Sequence, residues 1–193
     1  MSHHFFAMLS RMRYINRWGL MRNTFQENIQ EHSHQVAVLA HALAVIQNRY
    51  FGGQVDPGAV AVAALYHDAS EILTGDMPTP IKYNNPEIIG AYKELEREAG
   101  RKLLESLPAE FAGAYEPLLA PPQEHPLVKA ADKLSAYIKC VEERKAGNVE
   151  FVMAEKQTLK ALHAMALPEL EYFLEHFMPA FELTLDEQQN GLN

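Results

Sequence analysis

The sequence predicts an all-α fold, a helical bundle of about six or seven helices in a single domain. Apolar residues recur at steps of three or four along most of the chain, which is the period of a helix packed on one face. No segment alternates apolar and polar residues as a half-buried strand does. With 193 residues, 48% of them hydrophobic, the chain has enough apolar material for one packed core.

The first half of the chain is predicted to hold three helices. Residues 5–15 have apolar side chains at helical spacing, and a polar loop follows them. Residues 27–50 form the longest periodic segment, with an inward stripe that ends where a Gly-Gly pair stops the helix. Asp56 and Pro57 then supply an N-cap and a first-turn proline, so a third helix is predicted from there to about residue 73.

Prolines and glycines set the boundaries in the second half. Pro78 and Pro80 lie too close together for a helix to continue through them. The next helix follows Asn85-Pro86, and later ones end at a Pro-Pro pair and at Gly147-Asn148. The predicted helices there are residues 87–106, 108–119, 126–146, 150–167 and 168–177, followed by a polar, frayed tail at about 186–193.

Composition excludes several classes of function. The formal net charge is −8 and the isoelectric point is about 5.6, without a basic run, so polymeric DNA or RNA is not the expected partner. A single small phosphate needs only one or two cations and stays possible. The one cysteine, Cys140, excludes an intrachain disulfide. Neither a signal peptide nor a stretch of 18 apolar residues is recognisable, so we expect a cytoplasmic protein without a membrane partner.

Three separate places in the sequence offer metal-ligand side chains. The adjacent pair His67-Asp68 ends an alanine-rich apolar helix, His32 lies on the inward stripe of residues 27–50, and Asp132 lies on a small, largely apolar helix face. An unpaired carboxylate on such a face needs a cation nearby. Taken alone, His32 also fits a core histidine bonded to a neighbouring acceptor, and Asp132 fits a salt bridge to a lysine.

The combination is more specific than its parts. Two imidazoles and two carboxylates, from His32, His67, Asp68 and Asp132, carry a formal charge of −2 and suit one divalent transition ion such as Co²⁺ or Mn²⁺. Four protein ligands leave coordination positions for water and substrate, which is typical of a catalytic rather than a closed structural site. The sequence therefore predicts a metal centre that activates water for hydrolysis.

Five short segments between residues 5 and about 185 form a discriminating pattern. They are Arg17-Trp18, Glu31-His32-Ser33, His67-Asp68-Ala69-Ser70-Glu71, Thr74-Gly75-Asp76-Met77-Pro78-Thr79-Pro80 and Ala131-Asp132. Together they resemble the bacterial 5′-deoxynucleotidase branch of the HD-domain metal-dependent phosphohydrolases. The resemblance implies an all-helical HD domain, a divalent transition metal, a homodimer, and release of phosphate from deoxyribonucleoside 5′-monophosphates.

The resemblance also implies roles for individual residues. Arg17 would orient the phosphate with its planar guanidinium, and Trp18 would shape the nucleotide pocket, although a surface arginine and a core-capping tryptophan are the alternatives. The rigid loop at Asp76 would contact and recognise the sugar of the nucleotide. The substrate contacts implied in this way are Arg17, Trp18, His32, Asp68, Asp76, Met77, Pro78, Thr79 and Asp132.

Glu71 is the predicted general acid or base. It follows His67 by four residues and Asp68 by three, so a helix that continued to residue 73 would place all three on one face. A carboxylate beside the reacting water can move protons during attack and departure of the leaving group. The resemblance places the family's general acid or base at the same residue. A solvated acid at a helix end is the alternative.

Two other classes of function stay open from the sequence. Another HD-type hydrolase would act on nucleoside triphosphates or phosphodiesters, and Arg17, Arg22 and Lys82 are the visible cations for a larger anion. A non-catalytic, nucleotide-binding helical module would keep a metal for structure or act as a sensor. Glu71 and Arg17 argue against that module, because a structural metal site needs neither.

Overall fold

Helices account for the regular structure throughout the parts of the chain that can be described. The computed structural model describes residues 3–78, 85–121 and 123–191. Within these ranges the only β feature is an isolated antiparallel bridge between Asn16 and Asn28, and seven α-helices have eight residues or more. The all-α prediction is confirmed, and the ten α-helices of the described residues slightly exceed the predicted six or seven, because three of them are short.

The helix bounds follow the sequence signals closely. The α-helices are α1 (Phe5–Leu9), α2 (Ile29–Tyr50), α3 (Pro57–Tyr66), α4 (Glu71–Thr74), α5 (Pro86–Glu105), α6 (Ala112–Leu119), α7 (Pro126–Lys145), α8 (Val152–His163), α9 (Pro168–His176) and α10 (Leu185–Asn190). Short 3₁₀ turns are Ser10–Tyr14, Ala109–Phe111, Val149–Phe151 and Met178–Glu182.

Side-chain caps explain where the helices begin. Asn28 accepts hydrogen bonds from the backbone of Gln30 and Glu31, and Glu31 returns a bond to Asn28, which completes a capping box at the start of α2. Asp56 caps α3 and Asn85 caps α5 in the same way, by accepting from backbone amides of the first turn. Local chemistry therefore fixes these three helix starts.

The structure corrects two predicted bounds. The helix expected to reach residue 73 ends at Tyr66, because residues 67–70 tighten into a turn with bonds such as Ala69 N–H to the Tyr66 carbonyl. The C-terminal tail, expected to fray from residue 186, instead forms α10 as far as Asn190. Thr184 and Glu187 make a capping box there, which supplies partners for its first amides.

The long helix α2 lies at the centre of the main core. It packs along α3 and α7, and α9 covers its C-terminal part. Val36 and Leu43 on α2 and Leu134 on α7 are fully buried in this core. The predicted inward stripe is correct except at its end, where Tyr50 is 56% exposed. Each described helix is too short or too polar to span a membrane.

A buried ion pair joins α7 to the loop that precedes α2. Lys139 and Glu143, one helical turn apart on α7, are almost completely buried and paired with each other. Glu143 also accepts hydrogen bonds from the amide and hydroxyl of Thr24 and from Asn148, and Lys139 donates to the Phe25 carbonyl at 2.8 Å. These contacts hold the loop against the helix.

We expect Glu143→Ala to lower the free energy of unfolding by about 3–5 kcal/mol, because it leaves the ammonium of Lys139 buried without its carboxylate partner. Urea denaturation measures the change. Glu142→Ala, at the exposed neighbouring position on the same helix, is the control and should change the value by at most about 0.5 kcal/mol. A cost below about 1 kcal/mol for Glu143→Ala would contradict the proposed anchoring.

Candidate metal centre and active site

Three of the predicted ligands meet in one place. His32 projects from the first turns of α2, and His67 and Asp68 lie in the turn after α3. Each offers one donor atom, and these atoms all lie within 4.8 Å of one another. Asp68 Oδ2 is 3.2 Å from His67 Nε2 and 3.6 Å from His32 Nε2. The helix ends at Tyr66, so the pair lies in a turn rather than on a continued helix.

The fourth predicted ligand, Asp132, lies at the edge of the group formed by His32, His67 and Asp68. Asp132 Oδ1, from α7, lies 3.0 Å from His32 Nε2, while its side chain is 38% exposed. It is not among the three residues whose donors all approach within 4.8 Å. Asp132 contacts His32 rather than the lysine considered as an alternative, so the structure brings all four predicted side chains together around His32.

Both imidazoles are held by their Nδ1 atoms. His67 Nδ1 lies 2.7 Å from the Ala64 carbonyl, and His32 Nδ1 lies 3.1 Å from Ser135 Oγ. Within the described residues, neither buried Nε2 forms a hydrogen bond of acceptable geometry. Each Nε2 faces carboxylate oxygens, which are acceptors only. Nitrogen and oxygen donors arranged in this way fit a divalent metal, with Nδ1 contacts of the kind that orient metal-binding histidines.

Electrostatics in the cluster favour a cation. Burial lowers the pKa of His67, but the charges of Asp68 and Asp132 outweigh burial and raise it to about 9. Burial raises the pKa of Asp68, and the neighbouring His67 and His32 overcome this and lower it to about 2. The pKa of His32 is lowered, first by burial and then by Arg17. His32 is therefore neutral and both carboxylates are ionised, whereas His67 holds a proton that a bound metal ion must displace, because both would place positive charge beside the same carboxylates.

Arg17 reaches the same cluster from the loop before α2. Its Nη1 lies 3.5 Å from Asp68 Oδ2, and its Nε donates to Glu27 Oε2 at 3.1 Å. Burial lowers the pKa of Arg17, but Asp132, Asp68 and Glu27 more than compensate and raise it above its usual value. A charged guanidinium beside the donor cluster is positioned to meet an anion.

Glu27 holds two neighbouring side chains with a single oxygen. Its Oε2 accepts from Arg17 Nε and, at 2.8 Å, from Trp18 Nε1. The backbones also pair, because the Arg17 amide donates to the Glu27 carbonyl at 2.9 Å. Trp18 has a left-handed backbone with φ of 60°, a conformation that L residues seldom adopt, and its ring packs against Phe151 at 5.3 Å.

Glu71 begins α4 and is only 5% exposed, so a solvated helix-end acid is excluded. The expectation that one continuous helix face carries it together with the His67-Asp68 pair is wrong, because the helix is interrupted between them. The turn between the two helices still keeps Glu71 close to the pair, because the Glu71 amide donates a hydrogen bond to the Asp68 carbonyl at 3.0 Å.

The loop predicted to read the sugar follows α4. Gly75 there has φ of 74°, and its carbonyl accepts from the buried Tyr92 hydroxyl at 3.0 Å, which fixes the start of the loop. Asp76 contributes to the raised pKa of Arg17, so its charge acts on that guanidinium. Asp76, Met77 and Pro78 are half-buried, and Thr79 lies outside the described residues.

Comparison with known proteins identifies the family to which this chain belongs. A model of the YfbR-like 5′-deoxynucleotidases matches residues 4–181. The chain belongs to this family. A 5′-deoxynucleotidase of Vibrio parahaemolyticus is 52% identical over 188 residues, covering 95% of this chain and 97% of that protein. A 5′-deoxynucleotidase of Vibrio cholerae is 53% identical with the same coverage.

Solved structures share the fold. An HD-domain phosphohydrolase of Listeria innocua superposes with a TM-score of 0.80 at 25% identity, covering 93% of this chain and 88% of that one. The HD phosphohydrolase DatZ of cyanophage S-2L, described as bound to dA and one catalytic Zn²⁺ ion, has a TM-score of 0.61 at 22% identity and covers 90% and 96% of the two chains. The YfbR-like chain thus has the HD-domain fold that its sequence predicts.

Sequence reasoning missed the residues that support the site. Glu27, Gln35 and Ser135 were not predicted to have a role. Ser135 follows Asp132 by three residues on one helix face, a spacing that could have singled it out. Nothing in the sequence around Glu27 or Gln35 indicates their partners, because those partners come from other elements.

We expect Glu27→Leu to lower the free energy of unfolding by about 1–3 kcal/mol, because two partly buried hydrogen-bond donors, on Arg17 and Trp18, lose their acceptor. The chain has one tryptophan, Trp18, so fluorescence reports on the same change directly. Its emission should move to longer wavelength and acrylamide should quench it more strongly. The control is Gln26→Leu at the exposed preceding position. Unchanged emission in Glu27→Leu would show that Glu27 does not hold the indole.

Proposed function

We propose that this protein is a metal-dependent 5′-deoxynucleotidase, which hydrolyses deoxyribonucleoside 5′-monophosphates to the deoxyribonucleoside and phosphate. The observation that carries the proposal is the pair of imidazole Nε2 atoms that face the Asp68 carboxylate without a hydrogen bond of acceptable geometry, in a chain of the YfbR-like family. This donor set fits a metal, and the cation beside it fits a phosphate. The size and acidity of the protein agree with a small substrate rather than a nucleic acid polymer.

His32, His67, Asp68 and Asp132 are the proposed ligands of one divalent transition ion. When bound, the ion supplies Lewis-acid activation of water and neutralisation of charge on the phosphate oxygens. The two imidazoles and two carboxylates suit Co²⁺, Mn²⁺ or Zn²⁺, and the Zn²⁺ reported for the cyanophage protein of the same fold makes zinc one of the ions to test.

Arg17 orients the phosphate in this proposal. The Nε–H of Arg17 donates to Glu27. The other guanidinium N–H groups, on the side of Asp68, then donate to phosphate oxygens in a two-point contact. Trp18 flanks the nucleoside, and the loop of Asp76, Met77, Pro78 and Thr79 contacts the deoxyribose. Asp68, Asp132 and His32 lie next to the bound phosphate in this proposal, because they surround the place where the metal would bind.

Glu71 is the proposed general acid and base. Its burial keeps the carboxylate away from bulk water, and its link to the Asp68 backbone keeps it beside the donor cluster. It accepts the proton of the attacking water and returns a proton to the 5′-oxygen of the leaving nucleoside. In-line attack then gives inorganic phosphate and the nucleoside alcohol.

We expect metal-stripped protein to release no phosphate from dAMP, and Co²⁺, Mn²⁺ or Zn²⁺ to restore release. AMP should react far more slowly, because the family to which the chain belongs is named for its action on deoxynucleotides. A colorimetric phosphate assay measures both, with dATP and a cyclic dinucleotide as further substrates. Release that persists in chelator, or that occurs only from the triphosphate or the diester, would overturn the proposed function.

Glu71→Gln should lower kcat by about 10²- to 10⁴-fold, because the amide cannot accept the proton, while the bound metal content stays at the wild-type value. Elemental analysis of the purified variant supplies the second measurement. Glu87→Gln, at an exposed position in the first turn of α5, is the control and should retain full activity. Full activity in Glu71→Gln would remove this residue from the mechanism.

Homodimer formation and a cytoplasmic location remain predictions that come from the family resemblance and from composition. Sedimentation of the purified protein tests the first, and fractionation of cells tests the second.

A further inference from the structure

A chain of three side chains links α2 to α7 directly behind the donor cluster. His32 Nδ1 lies 3.1 Å from Ser135 Oγ, and Ser135 Oγ lies 2.6 Å from Gln35 Oε1. Gln35 follows His32 by three residues on α2, whereas Ser135 comes from α7. His32 and Ser135 are both fully buried. The three groups therefore depend on one another for hydrogen-bond partners.

The distances fix the direction of these hydrogen bonds. A separation of 2.6 Å is ordinary for O–H···O and short for N–H···O, so the Ser135 hydroxyl donates to the Gln35 carbonyl oxygen. A serine hydroxyl has only one hydrogen. With that hydrogen given to Gln35, Ser135 can only accept from His32, whose Nδ1 must then carry the hydrogen. In a neutral imidazole this leaves Nε2 bare.

The Nδ1 hydrogen of His67 is held by a different route. Its Nδ1 lies 2.7 Å from the Ala64 backbone carbonyl, which can only accept, so Nδ1 carries a hydrogen and Nε2 is the atom left to bind a metal, which displaces any proton there. A backbone carbonyl is present whatever the side chain. The tautomer of His32 depends instead on two side chains, and each of these can be replaced.

We propose that Ser135 and Gln35 are positioning residues that hold His32 in the tautomer whose Nε2 lone pair faces the metal. This inference rests on the proposed function only in requiring a metal at the cluster. Without the relay, His32 can place its hydrogen on Nε2 and donate to Asp132 Oδ1, which is 3.0 Å away. The lone pair would then no longer be available for a metal ion.

Two variants interrupt the relay at different points. Ser135→Ala removes the acceptor for Nδ1–H, and Gln35→Met removes the acceptor for the serine hydroxyl, which is then free to donate to Nδ1. Titration of the metal-stripped proteins with Co²⁺ in a calorimeter should show affinity about 10- to 100-fold weaker in both. The matched control is Ser33→Ala, since Ser33 is another buried serine beside His32 and its hydroxyl has no hydrogen-bond partner among the described residues.

Nitrogen-15 spectra of the histidine side chains test the tautomer itself. The metal-free wild type should show His32 protonated at Nδ1 alone, and Gln35→Met should move that hydrogen to Nε2 while the signals of His67 stay unchanged. Wild-type Co²⁺ affinity in both variants, or an Nε2–H form of His32 in the wild type, would overturn the inference. Failure of the wild-type protein to bind Co²⁺ at all would instead count against the proposed function.

Discussion

The site depends on bringing two ionised carboxylates and two imidazole lone pairs together in a mostly buried position. Burial penalises the charges of Asp68 and Asp132, and the imidazoles of His32 and His67, joined by Arg17 at Asp132, outweigh that penalty and lower the pKa of both carboxyls. The Nε2 atoms of His32 and His67 face these acceptors, and among the described residues neither forms a hydrogen bond of acceptable geometry. A divalent cation satisfies all four groups at once, and the donor types agree with one.

The helices hold these groups in place through their apolar packing. α2 carries His32 and packs along α7, which carries Asp132, and it also packs along α3, which leads directly into His67 and Asp68. The loop with Arg17 and Trp18 has no helix of its own. Hydrogen bonds to Glu27 and the buried ion pair of α7 supply the support that regular structure gives elsewhere.

The sequence by itself determined the helical fold, most helix starts and the chemical types at the site. Periodic apolar faces and N-caps such as Asn28 and Asp56 act between residues close in the chain, so local patterns are sufficient to predict them. The residues His32, His67-Asp68 and Asp132 could be selected as candidate ligands because their combination is more specific than any one of them, each of which has an ordinary alternative role when taken alone. The motif around Thr74-Gly75-Asp76 made the choice of family specific.

Only the tertiary structure decided which of these groups touch and what supports them. The contact of Glu27 with Trp18 and that of Ser135 with His32 each join different elements, and they depend on how a loop folds back or how two helices lie side by side. The turn after Tyr66 also replaced a continuous helix that local periodicity favoured, and Asp68 in this turn lies 3.6 Å from His32 of α2. Local sequence patterns do not specify the distances between residues that are far apart in the chain. Those distances decide whether residues of suitable types form a site.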